Sequence, residues 1–154
     1  MPTFSSSGAL EGYIKGKAAR ALQETKIHVI DQSNATMDRF YNEYEPSEYM
    51  RTGWLRGSMN SDSVPDVAGL SFEITFEPDR MHHYRPTAMG KSGAIHSVDW
   101  DEGEILENSF MGSAPHGGWP PAGGAPIWPE IERRVSDVPS VMRDALMAQG
   151  LPIK

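Results

Sequence analysis

The chain has 154 residues, a formal charge of -7 and a pI near 5.2, a size that suits one domain rather than two independent cores. Its 14 Lys and Arg are scattered singly apart from Arg133-Arg134, which argues against the basic face that tight DNA binding requires. Cys is absent, so disulfides and thiolate metal sites are excluded, and no apolar run reaches the ~18 residues that a membrane span needs.

Hydrophobic residues make up 38% and the mean hydropathy is -0.48, so the expected core is modest and much of the surface irregular or partner-facing. The 15 Gly and 12 Pro gather toward the end of the chain, where they predict long ordered loops. The first residues, MPTFSSSGAL, hold no basic segment followed by a hydrophobic one, so no secretory leader is expected.

In chain order, Ser5, Ser6 and Ser7 offer N-cap residues with Glu11 available to the first turns. From about Ser7 to Tyr44, apolar or small residues recur at Leu10, Ile14, Ala18, Leu22, Val29 or Ile30, Met37, Tyr41 and Tyr44. Steps of mostly three or four predict a long amphipathic helix. Gly12 and Gly16 weaken its start by roughly 1 kcal/mol each relative to Ala, and Asn34-Ala35-Thr36 is the expected bend. Lys15, Lys17, Glu24, Lys26 and Arg39 mark the polar face, read as solvated.

Pro46 ends the helical pattern. Trp54 to Met59 is predicted as a first strand, Ser63 to Asp66 as a turn, and Leu70, Phe72, Ile74 and Phe76, alternating with polar residues, as a second strand with one wet face. The two strands should pair antiparallel, with Glu77-Pro78-Asp79 closing the second. The stretch His82 to Asp99 has no clear pattern. Asp101 to Met111 predicts a short helix with carboxylates in its first turn and an apolar stripe of Ile105, Leu106 and Phe110. A Gly- and Pro-dense loop follows, and Ile127 to Val135 predicts another short helix. In the tail, Asp137 is the expected cap, Pro139 suits a first turn, and Val138, Val141, Met142, Ala145 and Leu146 form a stripe that Gly150 terminates.

The expected fold is therefore α+β: a long N-terminal helix packed on a small antiparallel sheet, with short helices and a long Gly/Pro-rich loop. Residues 1–154 form a single domain, with 113–130 as an extended interaction loop and 137–150 as the C-terminal helix. No internal repeat is visible.

Residues Phe40 to Met59 read as a helix end followed by a strongly specified corner. Tyr41, Tyr44 and Tyr49 are flat anchors with polar tips, Pro46 fixes the exit direction, and Arg51 offers a fork of donors. Thr52-Gly53 suits a turn before a strand. This segment resembles a signature of the tail-completion, or neck, family of long-tailed bacteriophages, Tyr-x-Pro-x-x-Tyr-x-Arg-Thr-Gly-x-Leu-x-x-Ser. The matching residues are Tyr44, Pro46, Tyr49, Arg51, Thr52, Gly53, Leu55 and Ser58, eight defined positions in fifteen. A second likeness to such proteins is the stretch Glu104 to Phe110 followed by His116-Gly117-Gly118. The loop Trp119 to Trp128 and the tail Ser136 to Lys154 have no counterpart in the pattern.

The resemblance implies a non-enzymatic virion protein, assembled in the host cytoplasm and retained at the head–tail junction. It would form a homo-oligomeric ring joining the portal-connector complex to the tail tube. The implied partners are connector or stopper proteins and tail-tube or tail-terminator proteins. DNA at most passes through the lumen, where an acidic wall lets a duplex slide; no membrane and no cofactor are expected. Arg51 would be a conformational or interface residue. Within the loop Ala114 to Pro129, residues His116, Gly117, Gly118, Trp119 and Trp128 are the candidate subunit interface. Long loops of this kind are commonly functional, and Trp at interface centres often dominates binding.

Other chemistry fits these residues less well. His82, His83, His96 and His116 accompany Asp99, Asp101, Glu102 and Glu104, but the spacings fit no ligand set. An EF-hand begun at Asp99 would put Phe110 where the bidentate Glu belongs. Met89-Gly90-Lys91-Ser92 lacks the upstream glycine of a phosphate loop, and no Gly-x-Ser-x-Gly elbow exists. The pairs Glu102/Glu104 and Glu130/Glu132 are better explained as charges at helix starts than as a glycosidase pair. Two competing readings are an assembly factor absent from the finished particle and a metal-dependent phage hydrolase built on the His and acidic cluster.

Overall fold

The computed structural model describes residues 2–42, 54–80 and 127–153. Helix α1 spans Ser7–Asn42, about 54 Å at the standard helical rise. Its N-cap is Ser6, whose Oγ accepts the Ala9 N–H at 3.2 Å, satisfying one of the donors a helix start leaves unpaired. The helix is continuous through Asn34-Ala35-Thr36, contrary to the expected bend. There the Thr36 hydroxyl donates to the Gln32 carbonyl one turn back, at 2.9 Å, and so is absorbed by the helix itself. Thr25 does the same toward Ala21 at 2.8 Å.

The buried face of α1 carries Ala18, Ala21, Leu22, Thr25, Lys26, Ser33, Thr36 and Met37. Leu10 and Ile14, expected to be part of this apolar stripe, are 41% and 44% exposed. Lys26 departs furthest from its expected solvated position. It is buried, and its ammonium donates to the Ser61 and Ser63 carbonyls.

Residues 54–80 form a hairpin beside α1. Trp54–Gly57, expected to be extended, is instead one helical turn, α2. Arg56 within it pairs with Asp38 and lies 5.3 Å from the Tyr41 ring centroid, which ties this turn to the end of α1. Strands β1 (Met59–Asn60) and β2 (Thr75–Phe76) pair antiparallel, Met59 opposite Phe76 and Asn60 opposite Thr75. The expected antiparallel pair is present, but regular pairing is far shorter than the alternation of Leu70 to Phe76 implied. Leu70 lies in the turn at the tip with φ 48°. A strand needs a covered face, and only the Phe76 end packs against the core. Beyond it the two arms are held by Ser63, whose Oγ bonds the Glu73 backbone, and by an Asp66–Ser71 bridge. The turn Pro78–Arg80 closes the hairpin.

Helices α3 (Ile127–Arg134) and α4 (Val138–Ala148) run back along α1. Ile127 and Ile131 pack on Met37, with Phe40, Tyr41, Phe76 and Val135 around them. Farther along α1, the Thr25 hydroxyl meets the Met142 sulfur at 3.3 Å. Asp137 holds the cap position of α4, yet its side chain makes no capping bond. It accepts from His28 Nε2 at 3.1 Å instead, so the expected cap serves as a tie to α1.

The expected stop at Gly150 is present. With φ 78° it donates to the Met147 carbonyl, and Leu151 donates to that of Leu146, the paired bonds of a left-handed helix end. Lys17 donates to the Gln149 carbonyl, and Gln149 Nε2 to Glu24 at 3.0 Å. Among the described residues the buried apolar side chains are Ala18, Ala21, Leu22, Met37, Ile127, Ile131 and Ala145.

Candidate functional site

The described residues that bear on the candidate site meet where the C-terminal half of α1, the base of the hairpin and α3 come together. Of the signature, Tyr44, Pro46, Tyr49, Arg51, Thr52 and Gly53 lie outside the described residues. Leu55 falls in α2. Ser58, the last signature position, is fully buried. Its carbonyl accepts the Glu77 N–H at 2.8 Å, so it opens the hairpin ladder. The neighbouring Gly57 faces the Arg80 carbonyl, which an added Cβ would meet at 3.3 Å. Small residues at 57–58 therefore let α2 join β1 against the closing turn of the same hairpin.

Of the candidate interface residues, His116, Gly117, Gly118 and Trp119 lie outside the described residues, as do the histidines and acids weighed for a metal site and the short helix expected at Asp101 to Met111. Trp128 is described, and residues 127–130, given from sequence both to the interaction loop and to the short helix Ile127 to Val135, form the first turn of that helix, α3. The Pro129 ring suits such a position, because the first turn needs no intrahelical N–H donor. Trp128 meets Phe76 edge-on, with centroids 6.5 Å apart, and its Nε1–H donates to Glu132 Oε1 at 2.8 Å. It remains 38% exposed. One edge of the indole is thus fixed within the subunit while another part of its surface faces outward.

Beside Trp128 lies an ion cluster that sequence reading missed. Glu130 accepts from Arg133 at 2.6 and 2.8 Å, from Arg134 at 2.9 Å and from Arg39 of α1 at 3.0 Å. The hydrogen bonds from Arg133 above all, then those from Arg134 and the charge of Arg39, hold the Glu130 carboxyl down to about 2 although partial burial opposes this. Reciprocally, the bond to Glu130 raises Arg133 above its ordinary range. The i+3 and i+4 spacings from Glu130 to the two arginines were legible as a helix pattern; the reach of Arg39 across 91 residues was not. A carboxylate so strongly favoured in its charged form is no proton donor near neutral pH. Glu132 is engaged by the Trp128 indole.

Among the described residues no group of three or more His, Asp or Glu side chains is placed to hold a metal ion, and no helix is long and apolar enough to cross a membrane. Compared with known proteins, the chain matches no family model, and no curated protein or solved structure is significantly similar to it.

Proposed function

We propose that this chain is a structural protein of the head–tail junction of a long-tailed bacteriophage, acting as one copy in a homo-oligomeric ring between the connector and the tail tube. The observation that carries the reading is the spaced set Tyr44, Pro46, Tyr49, Arg51, Thr52, Gly53, Leu55 and Ser58, which resembles the signature of tail-completion proteins. Support of a physical kind comes from the fold. The 36-residue helix leaves Leu10 and Ile14 exposed among the described residues, and exposed apolar surface is common where proteins meet. A net charge of -7 suits a ring past which DNA slides rather than one that grips it.

On this reading Trp119 and the outward surface of Trp128 contact a neighbouring subunit. Cryo-electron microscopy of intact particles from a phage carrying this gene tests the assignment. A ring of this chain at the head–tail junction is the expected result. Its complete absence from particles made in infected cells overturns the assignment and moves the protein to an assembly factor.

A further inference from the structure

Two apolar features, at different places on the chain, are exposed and have no packing partner among the described residues. The first is the tip of the hairpin, where Val64 is 88% exposed and Leu70 56% exposed. Leu70 also sits at φ 48°, a left-handed conformation that any residue with a Cβ resists. A strained backbone that presents an apolar side chain to water is doubly unfavourable in the isolated chain, and such strain is typical of elements that act on a partner.

The second feature is the N-terminal overhang of α1. Leu10 and Ile14 stand one to three turns before buried Ala18, Ala21 and Leu22, on the same helical face. Among the described residues the cover stops short of them. Helix α4 ends where Lys17 grips the Gln149 carbonyl, and Leu10 and Ile14 remain 41% and 44% exposed. The stripe that forms the core thus continues past the packing of the described residues.

The two surfaces carry opposite charge. Residues 7–20 hold Lys15, Lys17 and Arg20 against the single carboxylate of Glu11, whereas residues 61–80 hold Asp62, Asp66, Glu73, Glu77 and Asp79 against the single cation Arg80. Arg20 and Glu73 are both exposed, and Lys15 and Asp62 stay 63% and 76% exposed at their side chains while paired with Glu11 and Arg80 of their own chain.

We propose that the hairpin tip of one copy, Val64 and Leu70, docks on the α1 overhang of a second copy, Leu10 and Ile14, with Asp62 and Glu73 facing Lys15 and Arg20. The contact joins two different patches of one chain, so it is heterologous, and repetition closes a ring or extends a filament. This rests on the ring reading above and names the seam between its subunits.

Sedimentation velocity of the full chain across a concentration series tests the seam. The variants are Lys15→Glu with Arg20→Glu, Glu73→Lys with Asp62→Lys, and one chain carrying all four changes. Each pair of reversals is expected to weaken association at least ~10-fold, and the combined chain to restore it, because opposite charges face each other again. Leu70→Gly should lower association while leaving the melting temperature unchanged or higher, since glycine accepts the backbone angle. An oligomer whose mass none of these variants changes overturns the seam and leaves the ring standing. Dissociation by each pair without recovery in the combined chain overturns the charge pairing, and with it the proposal. A wild-type chain that stays monomeric at every concentration overturns both the seam and the ring.

Discussion

Replacing Glu130 by Gln tests whether the cluster around it fastens α3 to α1. The carboxylate is 11% exposed at its side chain and meets three guanidiniums. Its carboxyl titrates at about 2 in the fold against an ordinary value of 4.5. That difference corresponds to at most about 3 kcal/mol. Arg133 is 66% exposed, and water at this rim screens the cluster, which leaves about 1–2 kcal/mol. Because the folded value is depressed, the contribution is fully present above about pH 4.5 and is lost as pH falls toward 2. Urea denaturation of wild type and Glu130→Gln at pH 7 and at pH 3 measures it. The variant should be less stable by about 1–2 kcal/mol at pH 7, with more than half of that gap gone at pH 3. Equal stability at pH 7, or a gap unchanged at pH 3, would refute the reasoning.

Three further outcomes follow from the packing. Leu22→Ala empties a fully buried position and should cost about 2–4 kcal/mol in the same denaturation assay. Lys26→Met keeps the apolar stem but releases the Ser61 and Ser63 carbonyls. Amide hydrogen exchange should then quicken ~10-fold across residues 59–76 and stay unchanged in α4, and uniform quickening would show that Lys26 stabilises the whole domain instead. Gly150→Ala meets open space around its Cβ apart from Lys17 Nζ at 3.8 Å, so its cost is the φ of 78° alone, about 1 kcal/mol, or roughly 2–4 °C in a thermal melt.

What could be read from the sequence was read where the signal is local. The helical span of α1, the Ser cap, the α4 stripe and the glycine stop each depend on residues within a turn or two, and each stands in the fold. The antiparallel hairpin was legible in outline from alternation and turn residues. Its length was not, because Leu70, Phe72 and Ile74 alternate as strand residues do, while only Phe76 reaches the core. The same limit separates Glu130 from its partners. Arg133 and Arg134 are helical neighbours, whereas Arg39 arrives from another helix.

Sequence alone therefore determined the class of the domain, its long helix and the residues that resemble a known signature. Tertiary structure alone decided which polar residues face inward. Lys26 and Lys17, placed by periodicity with the solvated face, instead hold carbonyls of the hairpin and of the α4 end. Asp137 left its capping role for His28. The physical reason is common to all three: a buried or terminal polar group takes whichever partner the fold brings within about 3 Å, and that partner can lie more than a hundred residues away.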